Sequence, residues 1–228
     1  MKKSSTMWVG LVQACVFAAC LVVPQAFAEE ELVELKIELP KPMFVGTPKH
    51  IKSANLEKVT GRKRKPFMAP AGLTNVAADK DVTASDDEPV IGELEMITDG
   101  DKEGAEGSFV EFGPDVQWVQ VDLGEVYEIF AILLWHYHSQ ARVYHDTVVK
   151  LSDDPDFVSG VTTVFNNDHD NSAKLGVGKD KEYIEVNEGR LIDTKGAKAR
   201  YIRLYSNGNT SNDMNHYIEV EAYGRTPQ

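Results

Sequence analysis

Residues 75–228 are predicted to form an all-β sandwich or barrel, and three observations carry that reading. Short runs alternating apolar and polar residues recur along this stretch: WVQVDLG, YEIFAILLW, DTVVKLS, VTTVF, KEYIEV, ARYIRLYS and HYIEVEAYG. They are rich in Val, Ile and Tyr, which suit a pleated, half-buried surface. Clusters of Gly, Asp and Asn separate them, and no long run of helical period intervenes.

The elements can be taken in order. Lys2 and Lys3 precede the apolar stretch MWVGLVQACVFAACLVV, and AFA stands before Glu29. This is the pattern of an export signal over residues 1–28, cut after Ala28. The apolar run is short for a membrane-spanning helix, and acidic residues follow it at once. A lipoprotein reading would use Cys20, but Phe17 stands where such motifs usually carry Leu. Cleavage removes both cysteines, Cys15 and Cys20, so the 200-residue remainder (228 − 28) has no disulfide and rests on a core, a metal ion or both. The expected location is secreted, periplasmic or cell-surface. The whole chain has a formal charge of −12, which argues against nucleic acid and anionic membrane as partners.

Residues 29–74 read as an extended N-terminal segment or linker. LVELKIEL is one short strand, with Val33, Leu35, Ile37 and Leu39 on one face. Prolines at 40, 42, 48, 66 and 70 then interrupt regular structure. GRKRKP (61–66) is a basic island in an acidic chain. It reads as a solvated, protease-accessible stretch, with contact to a polyanion as the alternative.

In the sandwich region, YIRLYS places Ile202 and Leu204 on one face. YIEVEAYG places Ile218, Val220 and Ala222 inward, with Tyr217, Glu219, Glu221 and Tyr223 outward. Trp118 and Trp135 sit in strands and read as core. TDGDKEG is a tight acidic turn with carboxylates two apart at Asp99 and Asp101, and hard cations are held by such carboxylates together with main-chain carbonyls. NNDHDNS (166–172) has Asp168 and Asp170 two apart but lacks the Gly and Glu of an EF-hand loop, so it reads as a polar surface loop.

The order of these pieces, NVAADKDVTASD, ITDGD, WVQVDLG, VVKLSDDPDF, ARYIRLYS and NHYIEVEAYG, resembles the discoidin family (coagulation factor 5/8 type C domains), which overlaps carbohydrate-binding module family 32. The resemblance covers about Asn75 to Gly224. It implies a jelly-roll-like β-sandwich of the galactose-binding-domain-like kind, no catalysis, ligand-reading loops at one end and a structural calcium. The positions matching the family's calcium ligands are Met96 (carbonyl), Asp99, Asp101, Gly104 (carbonyl), Ile218 (carbonyl) and Glu219. Gly104 stands where the family usually has Ser or Thr.

Three loops share one composition: HYHSQARVYHD, NNDHDNSAKLG and SNGNTSNDMNHY. They hold His136, Tyr137, His138, Arg142, Tyr144, His145, Asn166, Asn167, His169, Asn171, Asn207, Asn209, Asn212, Asn215 and His216. Asn, Arg and His supply the donors and acceptors that sugar hydroxyls need, and Tyr supplies a flat ring for a sugar's C–H face. Turns also favour asparagine, which accounts for part of this composition. The loops lack exposed apolar spikes for membrane insertion, Met214 being the one mild exception. The expected function is calcium-supported, non-catalytic binding of an extracellular glycan or polysaccharide. The alternative is a cell-envelope adhesion or assembly module that presents the same loops to a protein. A third reading is a metalloenzyme using His136, His138, His145 and His169 with Asp168 and Asp170. No G-x-S-x-G or H-E-x-x-H motif accompanies those histidines.

Overall fold

The computed structural model describes residues 30–44, 51 and 53–227. The expected export signal and Pro48 lie outside the described residues. All the strand pairs within the sheets are antiparallel, and the helical element among the described residues is one 3-10 turn, Leu94–Ile97.

The main sheet is built on two long strands, β6 (Gln117–Trp135) and β9 (Arg190–Ser206). β6 turns at Gly124, whose φ of +87° is open to glycine and strained for other residues, and its register with β9 shifts between Asp122 and Tyr127. The turn divides β6 into two halves. The first pairs with β4 (Asp81–Ala84) and with Tyr201–Ser206 of β9. The second pairs with β11 (Glu219–Arg225) and with residues 190–199 of β9. β3 (Thr74–Asn75) edges β11, and β7 (Val148–Ser152) and β8 (Thr162–Asn166) continue beyond β9. β5 (Val110–Phe112) and β10 (Asn215–Tyr217) form a separate pair, as do β1 (Leu32–Glu34) and β2 (Met68–Pro70).

The core lies between the halves. Val119, Val121 and Leu123 of the first half meet Ile129, Ile132 and Leu134 of the second, together with Val149, Leu151, Ile202, Leu204, Val220 and Ala222. Apart from Ile129, which a register shift before Ala131 sets three residues from Ile132, these are the alternate residues of their runs, so the period-2 pattern places one face inside. The second half of β6 is covered on its other face too. Leu133, Trp135 and Ile218 are buried there against Ile37, Phe109, Leu191 and Tyr223. Strand β11 is consequently buried on both sides. Glu219 and Glu221, expected outward, lie at 0% and 5% exposure.

That second cover includes the N-terminal segment. β1 is three residues long, and Leu35 and Ile37 continue as half-buried extended chain. Residues 53–65 run beside the 182–190 segment, held by hydrogen bonds between Glu57 N and Glu182 O (2.8 Å) and between Glu182 N and Asn55 O (3.2 Å). KEYIEV, expected as a strand, is extended chain carrying one isolated parallel bridge, Leu56 to Glu182. Its ladder partner is this strap rather than a sheet strand.

Candidate functional site

The loops after β6, after β8 and between β9 and β10 meet at Asp146. Its Oδ2 accepts from Ser172 Oγ at 2.7 Å and from Asn207 Nδ2 at 2.8 Å, which brings one group from each of the other two loops onto a single carboxylate. Backbone bonds reinforce the junction: His145 N donates to Gly208 O, Asn207 N to His145 O, Thr210 N to Val143 O and Asn167 N to Thr147 O. The three loops singled out by composition are thus one continuous surface at one end of the sandwich.

Within that surface the expected ligand residues divide by depth. Tyr137, His145, His169 and Asn207 are half-exposed, and Asn171 and Asn212 are exposed. His136, His138, Arg142, Tyr144, Asn166, Asn167, Asn209, Asn215 and His216 are buried. The buried asparagines tie the loops. Asn215 Nδ2 donates to Gly113 O and Asp115 O, and its Oδ1 accepts from Ser206 Oγ and Gly208 N. Asn209 donates to Asn212 Oδ1 and Met214 O. Asn166 donates to Gly176 O, and Asn167 Oδ1 accepts the Thr147 amide.

The buried His, Arg and Tyr residues form a polar cluster beneath the surface. Glu111 Oε2 lies 2.8 Å from His216 Nε2, and Tyr144 OH lies 2.9 Å from His216 Nδ1. Burial, with Arg142 and His136 nearby, pushes the His216 imidazole down to about 3. The ring is therefore neutral: Nε2–H donates to Glu111, and Nδ1 accepts the Tyr144 proton. His136 stacks on Tyr144 at 4.2 Å and places Nδ1 2.7 Å from Glu185 Oε1, both side chains being fully buried. The Arg142 guanidinium lies 4.5 Å over the Tyr137 ring. Five atoms of this cluster are buried without a hydrogen-bond partner: His136 Nε2, Arg142 Nε and Nη1, Tyr183 OH and Glu185 Oε2. Glu111, Tyr183 and Glu185 were not among the residues the sequence pointed to. The alternation in KEYIEV puts Tyr183 and Glu185 on one side, the only signal available, and an inward Ile184 competed with it.

His138 belongs elsewhere. Its Nε2 bonds the Lys102 carbonyl at 2.9 Å, which anchors the acidic turn. In that turn Asp99 Oδ1 accepts the Asp101 amide and Asp101 Oδ1 accepts the Glu103 amide. Glu219 approaches from β11. Its Oε2 accepts the Gly100 amide, and its Oε1 is buried and unpaired. Burial first, then the nearby Glu221 and Asp99, pushes this carboxyl up to about 9. An orphaned buried carboxylate oxygen is of the kind hard cations take, but the ligating atoms of Asp99, Asp101 and Glu219 do not all lie within 4.8 Å of one another, so the structure does not gather the expected carboxylates into one cluster. Gly104 is explained by crowding: a Cβ there would lie 2.6 Å from Ser139 Oγ and 3.0 Å from His138 Cε1. The Ser139 hydroxyl also donates to the Gly104 carbonyl, which takes up one of that oxygen's lone pairs.

Among the described residues, the group that gathers three ligating atoms within 4.8 Å is Asp146, Asp168 and Asp170, and it contains no histidine. Asp168 is raised by burial and by Asp146, whereas Asp170 is lowered by its bonds to Ser172. The Ser172 and Ala173 amides already occupy both oxygens of Asp168.

No known family profile matches the chain, and no curated protein matches it. Solved structures do. A family 89 glycoside hydrolase from Clostridium perfringens, in complex with 2-acetamido-1,2-dideoxynojirmycin, is 19% identical with a TM-score of 0.50, over 67% of this chain and 15% of that one. The CBM32 of AlyQ, in complex with 4,5-unsaturated mannuronic acid, is 23% identical with a TM-score of 0.47, over 64% of this chain and 95% of that one. A Streptococcus pneumoniae fucose binding module is 18% identical with a TM-score of 0.48, over 68% of this chain and 100% of that one. This chain thus spans only a small part of the hydrolase. At these identities the likeness is one of fold, an all-β sandwich.

Proposed function

We propose that the chain is an exported, non-catalytic carbohydrate-binding module that reads a glycan or polysaccharide through the loop surface joined at Asp146. One observation carries the reading: three loops rich in Asn, His and Asp converge on one carboxylate at one end of the sandwich. His145, His169, Asn207 and Asn212 then offer donors and acceptors at the surface, Asp170 offers an acceptor, and Tyr137 offers a half-exposed ring. The fold likeness to proteins described as carbohydrate-binding modules supports the same reading.

Calcium belongs to this reading as a structural ion. Asp99, Asp101 and Glu219 would hold it with main-chain carbonyls of Met96, Gly104 and Ile218, pinning the acidic turn to β11. Through His138 and Ser139 that turn is tied to the loop that follows β6.

The test is a glycan and polysaccharide array probed with residues 29–228 in calcium and again in EDTA. A defined set of sugars bound in calcium, competed by free sugar and weakened by EDTA, is the expected result. A blank array from folded protein would overturn the carbohydrate reading.

A further inference from the structure

The 182–190 segment has two different faces. Inward it presents Tyr183 and Glu185 to the buried polar cluster, and its Glu185 amide donates to the Arg142 carbonyl at 2.8 Å. Gly189 lies against the Trp135 ring, and Asn187 O accepts from Trp135 Nε1 at 3.0 Å. Outward the segment is gripped by the N-terminal strap at both of its ends. Asn55, Leu56 and Glu57 clip Glu182, and the Ser53 hydroxyl bonds its carboxylate. The Arg64 amide donates to Glu188 Oε2 at 2.9 Å, and Arg64 Nη1 donates to the carbonyls of Glu188 and Gly189. Arg190 bonds Glu57 at 2.9 Å, and Asn187 Nδ2 donates to Pro40 O.

What lies under the segment is not a sealed apolar core. His136, Arg142, Tyr183 and Glu185 carry five unpaired buried polar atoms, a costly arrangement for a finished interior. Two N–H groups of one guanidinium, a ring nitrogen, a phenol and a carboxylate oxygen suit a polyhydroxylated guest. The closed state leaves these groups unsatisfied, so contacts from outside must help to hold it. The strap's contacts are of that kind. They are half-exposed, polar and confined to the outer face of the covering segment, and such contacts break locally before a core does.

We propose that residues 53–65 are a latch that holds the 182–190 segment down over the His136–Arg142–Glu185 cluster, so that releasing the latch opens the cluster to carbohydrate. The identity of the guest rests on the carbohydrate reading above; the latch does not. In the latched protein the loop surface around Asp146 is the accessible part of the site, and the inner cluster joins it when the segment lifts. A sugar that binds the open form favours that form in proportion to its preference for it.

The test reads opening and sugar binding separately. Diethyl pyrocarbonate labels accessible imidazoles, and mass spectrometry locates the label. In the intact chain the half-exposed His145 should react, while the fully buried His136 should not. The double variant Glu57→Ala/Arg64→Ala removes the Arg190 pair and the two Arg64 guanidinium bonds. It should label at His136 at least about tenfold faster, with hydrogen exchange at the Val121–Ile202 pairing of β6 and β9 unchanged as proof of fold. Trypsin nicking at the exposed Arg62 and Lys63 gives a second form of the opened protein without any substitution. The same samples go onto the sugar array. Faster His136 labelling with sugars newly bound supports the latch and its guest. Faster labelling with no sugar bound supports the latch and overturns the carbohydrate reading. His136 as protected in both opened forms as in the intact chain overturns the latch, whatever the array shows.

Discussion

Gly100 donates its amide to Oε2 of Glu219 at 3.1 Å, while the second oxygen of the same carboxyl is buried with no partner. A carboxyl pushed up to about 9 holds its proton at neutral pH when no cation is present. In the unfolded chain it ionises near 4.5, so between these values the native state carries a proton that the unfolded state lacks. Stability therefore falls as pH rises through that window and is least above about pH 9. In EDTA the melting temperature should fall from pH 5 to pH 9. Glu219→Gln should flatten the slope and melt a few degrees higher at pH 8, the response to about 1 kcal/mol in a domain of this size. Calcium should raise the melting temperature of the unsubstituted chain alone and release a proton on binding, seen by calorimetry in two buffers of different ionisation enthalpy. A flat EDTA profile would sink this account of Glu219.

His216 should act in the opposite sense. Its imidazole is held down to about 3, below the usual 6.5, so the unfolded chain takes up a proton that the native state refuses. The stabilisation from the neutral ring is present above pH 6.5 and is lost as pH falls toward 3. His216→Ala should remove that acid sensitivity. It should also cost about 1–3 kcal/mol at neutral pH, because it strands the buried Tyr144 hydroxyl and one oxygen of Glu111. Urea unfolding at pH 7.5 and pH 5 measures both effects, and a variant as stable as the parent at pH 7.5 would refute the relay.

The sandwich was legible in the sequence because its strands keep a period of two over an apolar face. Val119, Val121, Ile202, Leu204, Val220 and Ala222 are all where alternation places them. The meeting of the three loops was legible only as shared composition. Depth was not, because a turn asparagine that binds backbone and one that would bind a sugar are the same residue. Asn209 and Asn215 spend their amides on Met214, Gly113 and Asp115. The second cover over β11 was also hidden. It comes in part from residues 31–40, whose short apolar run, ending at Pro40, read as a linker. Their docking rests on Ile37 against the Leu133–Trp135–Ile218 cluster and on backbone groups such as Pro40 O, which leave no pattern in side chains.

Gly189 tests how tightly the covering segment sits. Its φ is +62°, and a Cβ there would lie 2.6 Å from Cε2 of the fully buried Trp135. Gly189→Ala should cost about 2–4 kcal/mol, combining left-handed strain with overpacking. Gly160 has nearly the same φ, +61°, and nothing within 4 Å of its would-be Cβ, so Gly160→Ala reports the strain alone. The expected denaturation midpoints rank parent, then Gly160→Ala, then Gly189→Ala. Equal losses in the two variants would mean that Trp135 moves aside freely and the segment is not closely packed.

Asp146 is the residue on which the loop surface depends, and its neighbours allow the dependence to be measured apart from global stability. One oxygen receives Ser172 from the loop after β8 and Asn207 from the loop after β9, and its own backbone stands at φ +50°. Asp146→Ala deletes both bonds while leaving the sandwich core untouched, since Asp146 lies outside the core clusters. Removing an acceptor shared by one exposed and one half-exposed donor should cost only about 1–2 kcal/mol of global stability. Locally the effect should be larger: amides of 143–147, 167–173 and 207–210 should exchange faster, and those of β6 and β9 should not. If these loops read a sugar as one surface, binding should weaken at least about tenfold, as expected when groups held in register must be ordered on binding. Asp146→Asn keeps an acceptor oxygen in place and should fall between the two. Loops that loosen while sugar affinity stays unchanged would place the ligand away from Asp146.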